Sequence, residues 1–107
     1  MARTVIVSGD AESDLDELYA YLSRYDTPAR ARRVVDRIEQ VVQSLSTSPE
    51  RGNVPPELAA TVGREFREVF FKPYRIVYKV LPREVLVLLV ADGRRDIETL
   101  FVRRLLA

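Results

Sequence analysis

Apolar residues recur along this chain with two different periods, and the changeover falls in one stretch containing proline and glycine. Val5, Ile6 and Val7 form a short apolar run suited to a strand, ended by Ser8-Gly9-Asp10, which offers a turn and a helix cap. From Ala11 the apolar positions Leu15, Leu18, Tyr19, Leu22 and Tyr25 fall at helical spacing. Asp14, Asp16 and Glu17 are expected to face out near the helix start, where acids are favoured. Asp26-Thr27-Pro28 then ends one helix and opens another, since Thr27 can cap and Pro28 suits a first helical position. The second helix has the clearest stripe in the chain, formed by Ala31, Val34, Val35, Ile38, Val41, Val42 and Leu45, with Arg30, Arg33, Arg37 and Gln40 off it. So short a connection predicts an antiparallel helical hairpin.

Ser46 to Gly63, with Pro49, Gly52, Pro55 and Pro56, reads as a loop. Beyond it the pattern predicts strands at Glu65 to Phe71, Tyr74 to Leu81 and Val85 to Ala91, broken by Lys72-Pro73 and Pro82-Arg83. Breaks this short imply an antiparallel meander. The run Val85-Leu86-Val87-Leu88-Leu89-Val90 is apolar without alternation, as expected of a central strand covered on both faces. After Asp92-Gly93 a short helix capped by Asp96 places Ile97, Leu100, Phe101 and Leu105 on one side and can supply the second cover. The expected architecture is α+β: an N-terminal strand, an antiparallel helical hairpin packed on a mainly antiparallel four-stranded sheet, and a short C-terminal helix.

Composition narrows the chemistry. At 107 residues, one domain spanning residues 1–107 is expected, and 47% hydrophobic with 31% charged residues suits a folded chain. There is no apolar run of membrane-spanning length. The opening Met1-Ala2-Arg3-Thr4-Val5 lacks the layout of a signal peptide, so the cytoplasm is the expected compartment and no membrane partner is expected. Without cysteine or histidine the usual zinc and transition-metal ligand sets are missing, so no metal and no cofactor are expected. Any acid–base catalysis would fall to carboxylates, arginine, lysine or tyrosine with shifted pKa values. A net charge of +1 hides an asymmetry: residues 1–63 carry 7 basic and 10 acidic side chains, and residues 64–107 carry 10 and 6.

An ordered set of segments carries a resemblance. Ala11 with Asp14-Leu15 is followed by Pro49-Glu50-Arg51-Gly52, Phe66-Arg67-Glu68, Pro73-Tyr74-Arg75-Ile76-Val77-Tyr78, Asp92-Gly93-Arg94-Arg95-Asp96-Ile97 and Arg104-Leu105-Leu106. Over nearly its whole length the chain resembles the RelE/ParE superfamily of toxins from type II toxin-antitoxin systems. That resemblance implies a growth-inhibiting toxin, neutralised in a hetero-oligomer with a cognate antitoxin, and it implies contact with DNA only through that antitoxin. Members like RelE cut messenger RNA on the ribosome, whereas members like ParE bind DNA gyrase and are not nucleases.

The fold alone does not choose between these targets. A RelE-like nuclease would use Arg67, Arg75 and Arg94 or Arg95 to hold the scissile phosphate. The groups that would move protons are absent: Val69 stands where a second basic residue belongs, and Leu100 or Phe101 stands where a C-terminal tyrosine belongs. With no confident catalytic residue, the reading favoured is a ParE-like gyrase inhibitor, with the ribosome-dependent endoribonuclease as the alternative. A chain whose toxicity has decayed to antitoxin binding alone is the third. On the favoured reading Arg94 and Arg95 meet the target, while Ile97, Leu100, Phe101 and Leu105 meet the antitoxin or serve as core. Arg67 and Arg75 could equally be solvated or cross-strand paired, and Tyr74 and Tyr78 read as structural aromatics.

Overall fold

A computed structural model describes residues 2–106. Its elements run β1 (Thr4–Val7), α1 (Gly9–Tyr25), α2 (Pro28–Ser44), α3 (Pro56–Thr61), β2 (Phe66–Phe71), β3 (Tyr74–Val80), β4 (Glu84–Asp92) and α4 (Ile97–Leu106). The strands form one sheet in the order β1-β4-β3-β2, with β1 parallel to β4 and the other pairs antiparallel. The expected α+β layout is therefore the one observed.

The local signals act as their chemistry dictates. Ser8 Oγ accepts from the Ala11 amide at the start of α1, Thr27 Oγ1 accepts from Arg30 at the start of α2, and Asp96 Oδ1 accepts from Thr99 in the first turn of α4. Pro28 occupies the first turn of α2, where its missing N–H costs nothing. One element was not expected: α3 lies inside the stretch read as loop. It is a single short turn of helix opened by Pro55-Pro56, with Leu58 fully buried as its anchor, and six residues are too few to show a period.

The sheet is apolar on both faces. On one side the helical hairpin packs Ala11, Leu15, Ile38, Val42 and Leu45 against Val69, Ile76, Tyr78, Val85, Val87 and Val90. On the other, α3 and α4 pack Leu58, Ile97 and Phe101 against Phe66, Val77, Leu89 and Ala91. A register shift lets β4 serve both. Val77 lies opposite Leu89 and Tyr78 opposite Val87, so Leu88 is left unopposed. The bulge moves the alternation by one position, which is why the sequence of this strand shows none.

β1 is only four residues long and pairs with β4 no further than Val87. Beyond that point the edge of β4 would be bare, and two side chains close it. Asp14 Oδ2 accepts from the Val90 amide at 2.9 Å, and Arg104 Nη1 donates to the Leu88 carbonyl at 3.0 Å. The two side chains also pair with each other, Arg104 Nη2 to Asp14 Oδ1 at 2.5 Å, with Asp14 8% and Arg104 18% exposed. This corrects the expectation that Asp14 faces solvent: the unpaired edge takes its carboxylate inward.

Candidate functional site

Two of the arginines expected to hold a phosphate, Arg67 and Arg75, are engaged within the protein. Arg75 has an 11%-exposed side chain and donates Nε to Glu68 Oε1 at 2.6 Å. Its two terminal nitrogens take both Glu57 oxygens at 2.8 and 2.9 Å. The Glu57 and Glu68 carboxylates raise its pKa still further above the ordinary arginine value, and the bidentate bond from Arg75 holds the Glu57 carboxyl below its own. Arg67 donates to the carbonyls of Gly52 and Glu50 at 2.8 and 3.3 Å, tying the chain before α3 to β2.

These two arginines also lie on opposite faces of the sheet. Arg67 stands across from Tyr78, which packs under the hairpin, whereas Arg75 stands across from Ala91, which packs under α4. Side chains directly opposite in a ladder share a face. Arg67 and Arg75 are therefore not brought together around one substrate.

Tyr78 is fully buried and bridges the same segment, its hydroxyl donating to Pro49 O at 2.6 Å and accepting from Gly52 N at 3.1 Å. Burial pushes its phenol above the ordinary value. Gly52 fits here because a Cβ would stand 2.5 Å from Glu68 O and 2.6 Å from the Tyr78 hydroxyl. Asn53 completes the seam by exchanging backbone hydrogen bonds with Glu68 on the outer edge of β2.

Arg94 and Arg95 are both exposed on the turn between β4 and α4. Asp92 organises that turn, accepting from the Arg94 amide and side chain and, through its carbonyl, from the Arg95 amide. Arg94 holds the Asp92 carboxyl down at about 2. The Arg95 side chain has no ion-pair partner among the described residues.

Of the four apolar residues expected to meet an antitoxin, Ile97 and Phe101 are each 1% exposed and belong to the core beneath α4. They do not present a surface here, because the second face of the sheet needs a cover and α4 supplies it. Leu100 is half-buried at the margin of that core, and Leu105 is 53% exposed.

Sequence reasoning missed the aromatic surface beside the arginine turn. Tyr21 and Tyr25 stand 60% and 67% exposed, one helical turn apart on α1, with ring centroids 4.8 Å from each other. Tyr25 was expected on the buried stripe, but it lies in the last turn of α1 and is exposed. Only Tyr21 carried a signal, since it falls outside the apolar spacing and so had no place in the core. Among the described residues no cluster of ligands suits a metal ion, and no helix is long and apolar enough to cross a membrane.

Comparison with known proteins fits this frame. The family model for the ParE toxin of the type II toxin-antitoxin system parDE matches residues 5–97. Solved structures that share the fold include three toxin chains. A chain of the chromosomal ParDE toxin-antitoxin system from P. aeruginosa superposes with a TM-score of 0.72 at 19% identity, over 85% of this chain and 96% of that one. A chain of the RelBE2 toxin-antitoxin complex from Mycobacterium tuberculosis gives 0.64 at 19% identity, over 86% and 99%. A mutant of the E. coli toxin RelE in the free state gives 0.64 at 15% identity, over 97% and 98%. No curated protein matches the sequence.

Proposed function

The chain belongs to the family of ParE toxins of type II toxin-antitoxin systems, and from that membership we propose that it arrests growth by binding DNA gyrase, without being a nuclease. The observation that carries this reading is the commitment of Arg67 and Arg75. One ties a loop to β2, the other joins two carboxylates, and they lie on opposite faces of the sheet. RNA cleavage needs cations free to meet a phosphate and groups free to move protons. The chain has no histidine, and its buried Tyr78 already spends its hydroxyl within the protein.

Arg94 and Arg95 are the residues proposed to meet the target, because they stand together in an exposed turn held in shape by Asp92. A cognate antitoxin is the partner proposed to neutralise the chain, with the exposed Leu105 and half-buried Leu100 at its contact. The deciding experiment is gyrase supercoiling of relaxed plasmid titrated with the purified protein, with and without antitoxin. Dose-dependent inhibition reversed by antitoxin is expected, and Arg94→Ala with Arg95→Ala should weaken it at least tenfold while antitoxin still binds. Supercoiling left untouched by folded protein, with messenger RNA cut on translating ribosomes, would replace this reading with the endoribonuclease.

A further inference from the structure

A groove of about 420 Å³ opens between α1 and the end of β4, lined by Leu18, Tyr21, Tyr74, Val90, Arg94 and Arg95. Four separate parts of the chain meet there: α1, the start of β3, the end of β4 and the turn that follows it. Tyr25 extends the aromatic surface from Tyr21, and the Arg24 guanidinium sits 5.6 Å from the Tyr25 ring. Tyrosine and arginine are the side chains that carry most binding energy at protein interfaces, and a rigid aromatic pair on a helix loses little entropy when covered.

The charges define what fits. Arg94 is already paired with Asp92 and Asp14 with Arg104, which leaves Arg95 as the cation and Glu17 as the anion at the groove with no ion-pair partner among the described residues. Glu17 and Asp14 line the same groove. A nucleic-acid backbone needs several uncompensated cations in a row, and this groove offers one. One carboxylate beside an apolar side chain needs a single arginine and an apolar wall, which Arg95 with Leu18, Val90 and Tyr74 provides.

We infer that this groove is where the chain grips its target, by taking a protein segment that presents an Asp or Glu carboxylate to Arg95 and an aliphatic or aromatic side chain to the apolar wall, with Tyr21 and Tyr25 closing over it. The inference rests on the reading of the chain as a toxin that acts by binding a protein, and it deepens that reading by naming the surface and the chemistry of the segment.

The test expresses wild type, Tyr21→Ala with Tyr25→Ala, Arg95→Glu and Arg95→Lys without antitoxin, and scores growth. The purified proteins are then titrated against gyrase supercoiling. All four side-chain changes lie on exposed positions, and retained antitoxin binding with an unchanged melting temperature reports intact folding. The expected result is that the double tyrosine variant and Arg95→Glu need at least tenfold more protein for half inhibition and lose growth arrest, while Arg95→Lys keeps most of both. Variants as potent as wild type would overturn the groove and leave the gyrase reading standing. Growth arrest lost with the variants, although wild type never touches gyrase, would keep the groove and overturn gyrase as the target. A labelled single-stranded oligonucleotide held by wild type and released by the variants would overturn the protein segment in favour of nucleic acid. Wild type that leaves growth unaffected would overturn both.

Discussion

Arg75 illustrates how little a residue's type says about its use. As a strand arginine in a basic half it is a natural candidate for a phosphate, yet its nitrogens reach two carboxylates and it stands 11% exposed. Glu68 beside it is 3% exposed, so the pair cannot be broken cheaply: one buried charge left without its partner costs about 3 kcal/mol or more. Glu57, at 35% exposed, is the accessible member, and its carboxyl is held below the ordinary 4.5, chiefly by the bond from Arg75. A depressed carboxyl adds stability that is complete above its unfolded value and disappears as pH falls through its folded value. Stability of the wild type measured by urea unfolding should therefore drop as pH is lowered from 6 to 3. Glu57→Gln should show a shallower drop, by under about 1 kcal/mol after solvent screening. Identical acid profiles would mean that the Glu57–Arg75 bond is not formed in solution. Asp92, held at about 2 by Arg94, adds a second, more acidic window that the substitution leaves in place.

At the scale of elements, β4 is the strand that joins β1 to the antiparallel strands. It is the one strand whose second half outruns its neighbour, and the Asp14–Arg104 pair is what lets it end inside the protein without a bare edge. Asp14→Ala should cost about 3 kcal/mol, because it strands the Val90 amide and leaves Arg104 unpaired. Asp14→Ala together with Arg104→Ala should cost less than the sum of the two single changes. Hydrogen exchange at Val90 should accelerate in the Asp14 variant alone and in the double variant. An unchanged exchange rate, or costs that simply add, would show that the edge is closed by something else. Periodicity made the hairpin, the meander and the covered central strand legible, since each has enough residues to show its spacing. The bulge at Leu88 and the six-residue α3 were not legible, because one extra residue or one turn leaves no repeat. The proposed site was legible in part: Arg94 and Arg95 stood out in the sequence, and its exposed tyrosines did not, for a different reason. The segments that carry the family resemblance mostly bond to one another: Asp14 to Arg104, Glu68 to Arg75, Arg67 to Gly52 and Tyr78 to Pro49 and Gly52. Much of what is recognisable in the string is the frame, whereas Tyr21 and Tyr25, which project from it, belong to none of those segments.

Taken as a whole, the molecule is a sheet with two apolar faces and unequal covers. The hairpin gives one face two seventeen-residue helices, and the other face has only α3, six residues long, and α4, ten. The thinner cover must therefore be anchored deeply, and Phe101 is that anchor, 1% exposed and packed edge-on against Phe66 at 4.8 Å between centroids. This division of α4 predicts that its residues will separate by role. Phe101→Ala should lower unfolding free energy by about 3–5 kcal/mol, in proportion to the cavity it opens under the helix. Leu105→Ala, at 53% exposed, should change it by no more than about 0.5 kcal/mol. If Leu105 meets the antitoxin as proposed, that same substitution should instead weaken the antitoxin complex, which a titration followed by calorimetry would read directly. A large loss of stability from Leu105→Ala, or none from Phe101→Ala, would mean that α4 does not lie on the sheet in solution, and that the second face is covered some other way.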